Sequence, residues 1–300
     1  MFFGDDQELD LRVTINRNAV LRREVYAQMG RSIQNGLILG GVITQGLTQA
    51  DLFVTKQDAR SGQMRVSAVL RPLPIPVRAL ILPLRDAVVA SRITAAMHST
   101  LLPVLPAGGV WLQDDSLYHA TLYHASSHAV PVLTDAAGVQ AEHDIIKAVM
   151  SSSCPIRAVL ERFVVTGSGV VVACWQALPG GSEPADLRKA VGRALITAPG
   201  IEGQMVKEPA MLHTTVARLL QPPGSPTSSS AVAQAGGASS VAGVDAAAVV
   251  AAVQKMTDRL CGLQTIFRDV WFVEEQDLLA LALNGRYRKH LAPMTCPEHG

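Results

Sequence analysis

Two stretches decide how this chain is read: Leu117–His128, LYHATLYHASSH, and Met211–Leu220, MLHTTVARLL. Aligned, they give His119-Ala120-Thr121-Leu122 and His213-Thr214-Thr215-Val216. Each is His-x-Thr followed by an aliphatic residue, and each is preceded by an apolar or aromatic one, Tyr118 or Leu212. Side chains of a strand alternate between its faces, so residues i and i+2 share a face about 6.5–7 Å apart. Strict alternation puts His119, Thr121 and Tyr123 on one face and His124 on the other. It likewise joins His213 with Thr215 and sends Arg218 to the opposite side. Two such strands facing a cleft offer two imidazoles and two hydroxyls. That suits a phosphate: hydroxyls donate to its oxygens, one imidazole takes a proton and the other gives one.

Outward from these strands the chain reads as two similar halves. In the first, a strand over 76–84 (PVRALILPL) and a helix over 86–102 lead to the histidine strand at 117–123. A helix over 139–150 and a strand over 156–166 follow, and a hairpin turn at Gly167-Ser168-Gly169 leads to a strand over 169–177 that starts the second half. In the second, Ser182 is placed to cap a helix through Asp186, Leu187 and Ala194. Next come a strand over 210–220, a helix over 244–263, and strands over 265–274 and 277–284. The interval downstream of His213 exceeds that downstream of His119 by less than the length of the insertion at 221–243. That segment, QPPGSPTSSSAVAQAGGASSVAG, is low in complexity and reads as a disordered loop. The expected fold is α+β: two pseudo-symmetric lobes, each a small antiparallel sheet with helices outside, forming a central cleft. Residues 1–75 stand outside the repeat as an N-terminal extension with a helix over 16–34 and a short strand at 51–54, and 291–300 as a C-terminal tail.

The bulk numbers exclude several classes. A net charge of +1 gives no support for coating duplex DNA. No apolar run reaches the roughly 18–20 residues of a membrane-spanning helix, and the N-terminus lacks a signal peptide's basic start. The expectation is an intracellular protein, cytoplasmic or organellar. Cys154, Cys174, Cys261 and Cys296 are scattered with no CxxC pair, which reads as reduced thiols rather than a zinc or disulfide framework. No GxSxG elbow or catalytic-cysteine signature is present.

Paired His-x-Thr motifs on two lobes resemble the 2H phosphoesterase superfamily, which includes RNA 2′,3′-cyclic phosphodiesterases and the 2′-5′ RNA ligases. The order VRALILPL, helix, GVWLQDDSLYHATLY is similar to that family's opening strand, helix and tryptophan-bearing approach to its first histidine. The resemblance spans roughly residues 76–290. It implies catalytic roles for His119 and His213, phosphate binding by Thr121 and Thr215, and catalysis without metal or other cofactor. The implied substrate is a ribose cyclic phosphate, at an RNA end or on a small cyclic nucleotide. A non-catalytic nucleotide- or RNA-binding module on the same fold is the alternative. This chain departs from the pattern in its N-terminal extension, in the insertion at 221–243, and in Thr214, where the family has an aliphatic residue.

Other residues carry two readings each. Tyr123 is either a base-stacking substrate contact or a core tyrosine. His124 and His128 suggest a metal only weakly, because no acidic or cysteine partner stands at ligand spacing; a structural or surface role is expected, and His143 should be solvated on a helix. Arg218 reads as a salt bridge or packed stem rather than a phosphate contact. Arg286-Tyr287-Arg288-Lys289 is either a solvated tail or a contact for RNA phosphates. Trp111, Trp175 and Trp271 read as core.

Long insertions cost little closure entropy, about 0.6 kcal/mol per doubling of length. Replacing Pro223–Ser240 by a short Gly/Ser linker is therefore expected to leave a single cooperative unfolding transition, monitored by circular dichroism.

Overall fold

The computed structural model describes residues 5–35, 37–38, 42–44, 46–58, 60, 62–220 and 244–297. The insertion at 221–243 lies outside the described residues. Helix α1 (Asp5–Arg31) is followed by the short strands β1 (Val42–Thr44) and β2 (Leu47–Thr48), helix α2 (Gln49–Leu52) and the hairpin β3 (Phe53–Gln57) and β4 (Met64–Ala68). Then come β5 (Pro72–Pro83), α3 (Ala87–Ala96), β6 (Val110–Leu112), β7 (His119–Ser126), α4 (Ala136–Met150), β8 (Ile156–Val165) and β9 (Val170–Ala177). Next are α5 (Pro184–Ala194), β10 (His213–Leu219), α6 (Ala246–Leu260) and β11 (Gln264–Phe267). The last elements are β12 (Asp269–Asp277), α7 (Ala280–Leu283) and β13 (Tyr287–Pro293).

The fold is α+β. Beside the two-stranded pairs β1-β2 and β3-β4, the described residues form two larger antiparallel sheets. One has four strands in the order β13-β12-β5-β7 and the other five in the order β11-β8-β9-β10-β6. Each sheet carries one histidine strand beside its opening strand: β7 beside β5, and β10 beside β9. The sheets are not, however, contiguous halves of the chain. β8, which follows the first histidine strand, pairs with β9 in the second sheet, and β12, which follows the second, pairs with β5 in the first. The series β12-β5-β7 and β8-β9-β10 are thus equivalent by exchange, so neither sheet can form from one half alone.

The exchange explains a mistaken strand. The expected strand over 265–274 is two, β11 and β12, broken at Arg268 and lying in different sheets. Half of the expected strand over 277–284 is instead the short helix α7, bracketed by left-handed residues Leu279 (φ 52°) and Asn284 (φ 57°). A short apolar run such as LLALAL cannot be told from a strand by periodicity. The expected start of the C-terminal tail at 291 is corrected too. Tyr287–Pro293, which takes in most of the basic group and the first residues of that tail, form β13. Lys289 lies 3.9 Å over the Trp271 ring, and Arg286, just before the strand, is bonded to Asp277 (2.7 Å). Beyond β13, Cys296 is disulfide-bonded to Cys154, which corrects the reading of four reduced thiols. Cys174, buried, and Cys261, exposed, remain free.

Helix starts follow capping chemistry. Asp86 caps α3, Asp135 caps α4 and Asp245 caps α6, each carboxylate accepting from backbone N–H groups of the first turn. The cap of α5 is Glu183 rather than Ser182, because Pro184 takes the first helical position. Glu183 has no free oxygen for its helix; both accept from Arg22 of α1, at 2.7 and 3.2 Å.

α1 gives the N-terminal extension a definite seat. Arg22 and Tyr26 are fully buried against β9 and the approach to β10. The Tyr26 hydroxyl lies 2.8 Å from Trp175 O and Leu212 O and accepts from Leu212 N at 3.1 Å. It brackets the residue immediately before His213. Tyr26→Phe leaves these buried groups short of a partner and is expected to lower unfolding free energy by about 1–3 kcal/mol, read as a lower urea midpoint.

Candidate functional site

His119, Thr121, His213 and Thr215 line one cleft of about 250 Å³ between the two sheets. Exposure alternates along both motifs: His119 and Thr121 are half-buried while Ala120 is buried, and His213 and Thr215 repeat this around buried Thr214. The hydroxyl of Thr214 explains its own departure from an aliphatic residue, since it receives the Trp175 indole N–H at 3.1 Å in the core. The fold brings the two motifs together.

Beyond each threonine the alternation breaks. Along β7, Ile81 pairs with Thr121 but Leu80 pairs with Tyr123, so Leu122 is an extra residue. Along β10, Val172 pairs with Thr215 and Val171 with Ala217, so Val216 is extra. A bulge of one residue turns everything after it to the other face. Tyr123 therefore leaves the cleft; its hydroxyl bonds Pro199 O at 3.3 Å and its ring packs on Gly192. The substrate-stacking role expected for Tyr123 is corrected to a packing role. His124 and Arg218 rotate in and line the cleft instead. Strict alternation assigns both to the opposite face, and both stand five residues after their motif histidine. The extended pattern His-x-Thr-aliphatic-x-(His or Arg) is the signal, readable only with the bulges in hand.

The bulges have identifiable supports. Arg188 of α5 donates from Nε to Leu122 O (2.9 Å) and from Nη2 to Thr121 O (3.0 Å), and bonds Pro209 O on the approach to β10. In β10, Val216 O accepts from the backbone N–H of Gln113 at 3.1 Å. Sequence reasoning misses Arg188 and Gln113, and no motif marks them.

The electrostatics are unusual for groups beside water. The Arg218 residue is 7% exposed, has no ion pair among the described residues, and its Nη1 has no hydrogen-bond partner among them. Burial draws it down to about 10, so it stays cationic near neutral pH. His119 Nδ1 lies 2.8 Å from Leu117 O, and because a carbonyl only accepts, Nδ1 carries the proton and Nε2 the lone pair. Burial lowers the His119 imidazole and Arg218 lowers it further, against the Leu117 hydrogen bond. Burial, with Arg188 and His119 adding to it, pulls His213 down to about 4. His124 is likewise near 4, chiefly through burial. Across the floor, Glu275 is buried with one oxygen accepting from Leu281 N at 2.8 Å, and burial pushes its carboxyl up to about 7. Among the described residues no group of three or more His, Cys, Asp or Glu side chains is arranged to hold a metal ion. His143, expected to be solvated, bonds Leu291 O at 3.1 Å and stacks on Phe272. No described helix is long and apolar enough to cross a membrane.

No family model and no curated protein sequence matches this chain. Among solved structures it is similar to TT0787 of Thermus thermophilus, at 15% identity and a TM-score of 0.45, over 74% of this chain and 100% of that one. It is also similar to ATU0111 from Agrobacterium tumefaciens str. C58, described as a conserved protein of unknown function. There the identity is 11% and the TM-score 0.48, over 73% of this chain and 86% of that one.

Buried neutral imidazoles make a stability prediction. A folded-state value below the ordinary 6.5 means that the unfolded chain binds the proton first, so stability present above pH 6.5 is lost as pH falls toward 4. His124 and His213 each contribute on the order of 3 kcal/mol to that loss, and His119 adds in the same direction. Glu275 runs the other way between its ordinary 4.5 and about 7, offsetting about one imidazole. Thermal unfolding is therefore expected to be flat above pH 7 and to weaken below 6.5. Inorganic phosphate, whose charge favours imidazolium, is expected to reduce the drop.

Proposed function

We propose that this cleft hydrolyses a ribose cyclic phosphate, at a 2′,3′-cyclic RNA end or on a small cyclic nucleotide, by general acid/base catalysis with two histidines. The observation that carries the reading is that both His-x-Thr motifs, from distant parts of the chain, line one cleft with a buried guanidinium that has no anion in ion-pair contact among the described residues. A phosphodiester supplies that charge. The resemblance of the motifs to the 2H phosphoesterases points to the same chemistry.

In this reading Arg218, Thr121 and Thr215 donate to the phosphate oxygens. His119, whose Nδ1–H is held by Leu117 O, offers Nε2 as the base that activates water. His213 protonates the leaving ribose oxygen. The acid must be charged, yet burial keeps His213 neutral in the empty cleft; the negative phosphate raises it on binding. No step requires a metal.

The pH profile tests this. kcat/KM reports the free protein's groups, and with both imidazoles depressed the singly protonated pair is most populated below pH 6.5. kcat/KM toward a 2′,3′-cyclic nucleotide should peak on the acid side of neutrality and fall as pH rises. The limbs of kcat should lie higher, because bound phosphate stabilises the imidazolium. Alanine at His119 or His213 should cost about a hundred- to ten-thousand-fold, and the double variant little more. Alanine at either threonine should cost about 1.5–3 kcal/mol of phosphate affinity. Phosphate binding without turnover in the wild type would favour the binding-module alternative, and activity lost to a chelator and restored by zinc would overturn the mechanism.

A further inference from the structure

We infer that Gln113 is a third catalytic group of this cleft, its side-chain carbonyl holding the attacking water; the inference rests on the hydrolysis proposed above. Gln113 follows β6 and lies where the two histidine strands approach one another. Its backbone N–H donates to Val216 O, the bulge carbonyl of β10, at 3.1 Å. Its Nε2 donates to Leu117 O at 3.0 Å, the same carbonyl that holds His119 Nδ1 at 2.8 Å. One residue thus ties the second motif to the first. An amide turned end for end would set its oxygen against the Leu117 oxygen, so Nε2 faces Leu117 and Oε1 is left over. Gln113 is 4% exposed and lines the cleft, and Oε1 has no hydrogen-bond partner among the described residues. A buried acceptor in that state calls for a donor that the described residues do not supply.

At the reacting phosphorus, water is the species with donors to spare. A cyclic phosphodiester presents only acceptors from its phosphate and ring oxygens, and those are met by Arg218 and the threonines. Water has two O–H groups. One points to Nε2 of His119 and the other to Oε1 of Gln113. Both groups hang from the same Leu117 carbonyl, which sets them relative to each other. The water oxygen forms the new P–O bond as one of its protons passes to His119 Nε2. The P–O bond to the ribose oxygen breaks, and that oxygen takes the proton of His213. The sum adds one water to the ester, and solvent returns the proton from His119 and recharges His213. Gln113 exchanges no proton; it aims the lone pair of the nucleophile at phosphorus.

A nucleophile with a single O–H isolates this role. Wild type, Gln113→Met and Gln113→Asn would be assayed on a 2′,3′-cyclic nucleotide in water–methanol mixtures, measuring the ratio of hydrolysis to methyl ester formation. Methanol gives its only O–H to His119 and gains nothing from Gln113. In Gln113→Met, hydrolysis should fall about tenfold further than methanolysis, moving the product ratio toward the ester. Gln113→Asn, which draws the amide back by one methylene, should move it the same way and serves if the methionine variant does not fold. Equal losses in both products, with the ratio unchanged, would mean that Gln113 only anchors Leu117. That would overturn this inference and leave the two-histidine reaction standing. A wild-type protein that opens no cyclic phosphate would overturn the parent reading, and this one with it, before any substitution is made.

Discussion

The guanidinium of Arg188 is the contact on which the rest of the cleft depends. It is buried, draws no carboxylate among the described residues, and spends its donors on three carbonyls: Thr121 and Leu122 at the bulge of the first histidine strand, and Pro209 before the second. A bulge leaves backbone acceptors without a ladder partner, and buried acceptors left so cost roughly 1–3 kcal/mol each. Arg188 makes the bulge tolerable, and the bulge puts His124 in the cleft and takes Tyr123 out. The same cation acts through space, since it helps to keep His213 neutral. One side chain on a helix outside the site therefore supports the backbone geometry of the first bulge and adds to the burial that keeps His213 neutral.

The exchange of β8 and β12 between sheets gives this local device a global frame. Because each sheet needs a strand from the other half, the two histidines cannot drift apart without breaking a sheet ladder. The N-terminal part of the chain adds a brace on one side. Arg22 and Tyr26 of α1 grip β9 and the approach to His213. Farther along, Leu52 and Phe53 join Leu220, Leu278 and Leu283 in an apolar cluster where β10 ends and β12 turns into α7. The extension that stood outside the sequence repeat thus packs on elements of both sheets.

Strand alternation and helical periodicity were enough to read the α+β class, the two histidine strands and their threonines. Those signals are local, and they hold wherever the pleat is regular. They fail at Leu122 and Val216, where one inserted residue reverses the face of Tyr123, His124 and Arg218. The single-residue break at Arg268 escapes them for the same reason, as it changes which sheet a strand joins and not how apolar it is. The Cys154–Cys296 bond was invisible because the exchanged topology brings residues 142 apart in sequence together. Gln113 and Arg188 carry no motif at all. Their importance lies in which carbonyls they reach, and that is a property of the assembled fold.

The charge balance of the cleft follows from the same burial. Its lining includes the buried cation Arg218, imidazoles that burial keeps neutral, and the Glu275 carboxyl, which burial pushes up to about 7. A second positive charge there would be desolvated and unpaired, the costly arrangement in a protein interior. A phosphodiester brings a single negative charge, enough to match Arg218 and to ease protonation of one imidazole nearby. Under the proposed reading, the acid is thus armed by the substrate it will protonate. His119 keeps its Nδ1 proton on Leu117 O, which leaves Nε2 as its free nitrogen; burial and Arg218 oppose a second proton, against the Leu117 bond that favours it. Two histidines in pseudo-equivalent strands are in this way made chemically unequal, and the inequality comes from a backbone carbonyl on one side and a guanidinium on the other.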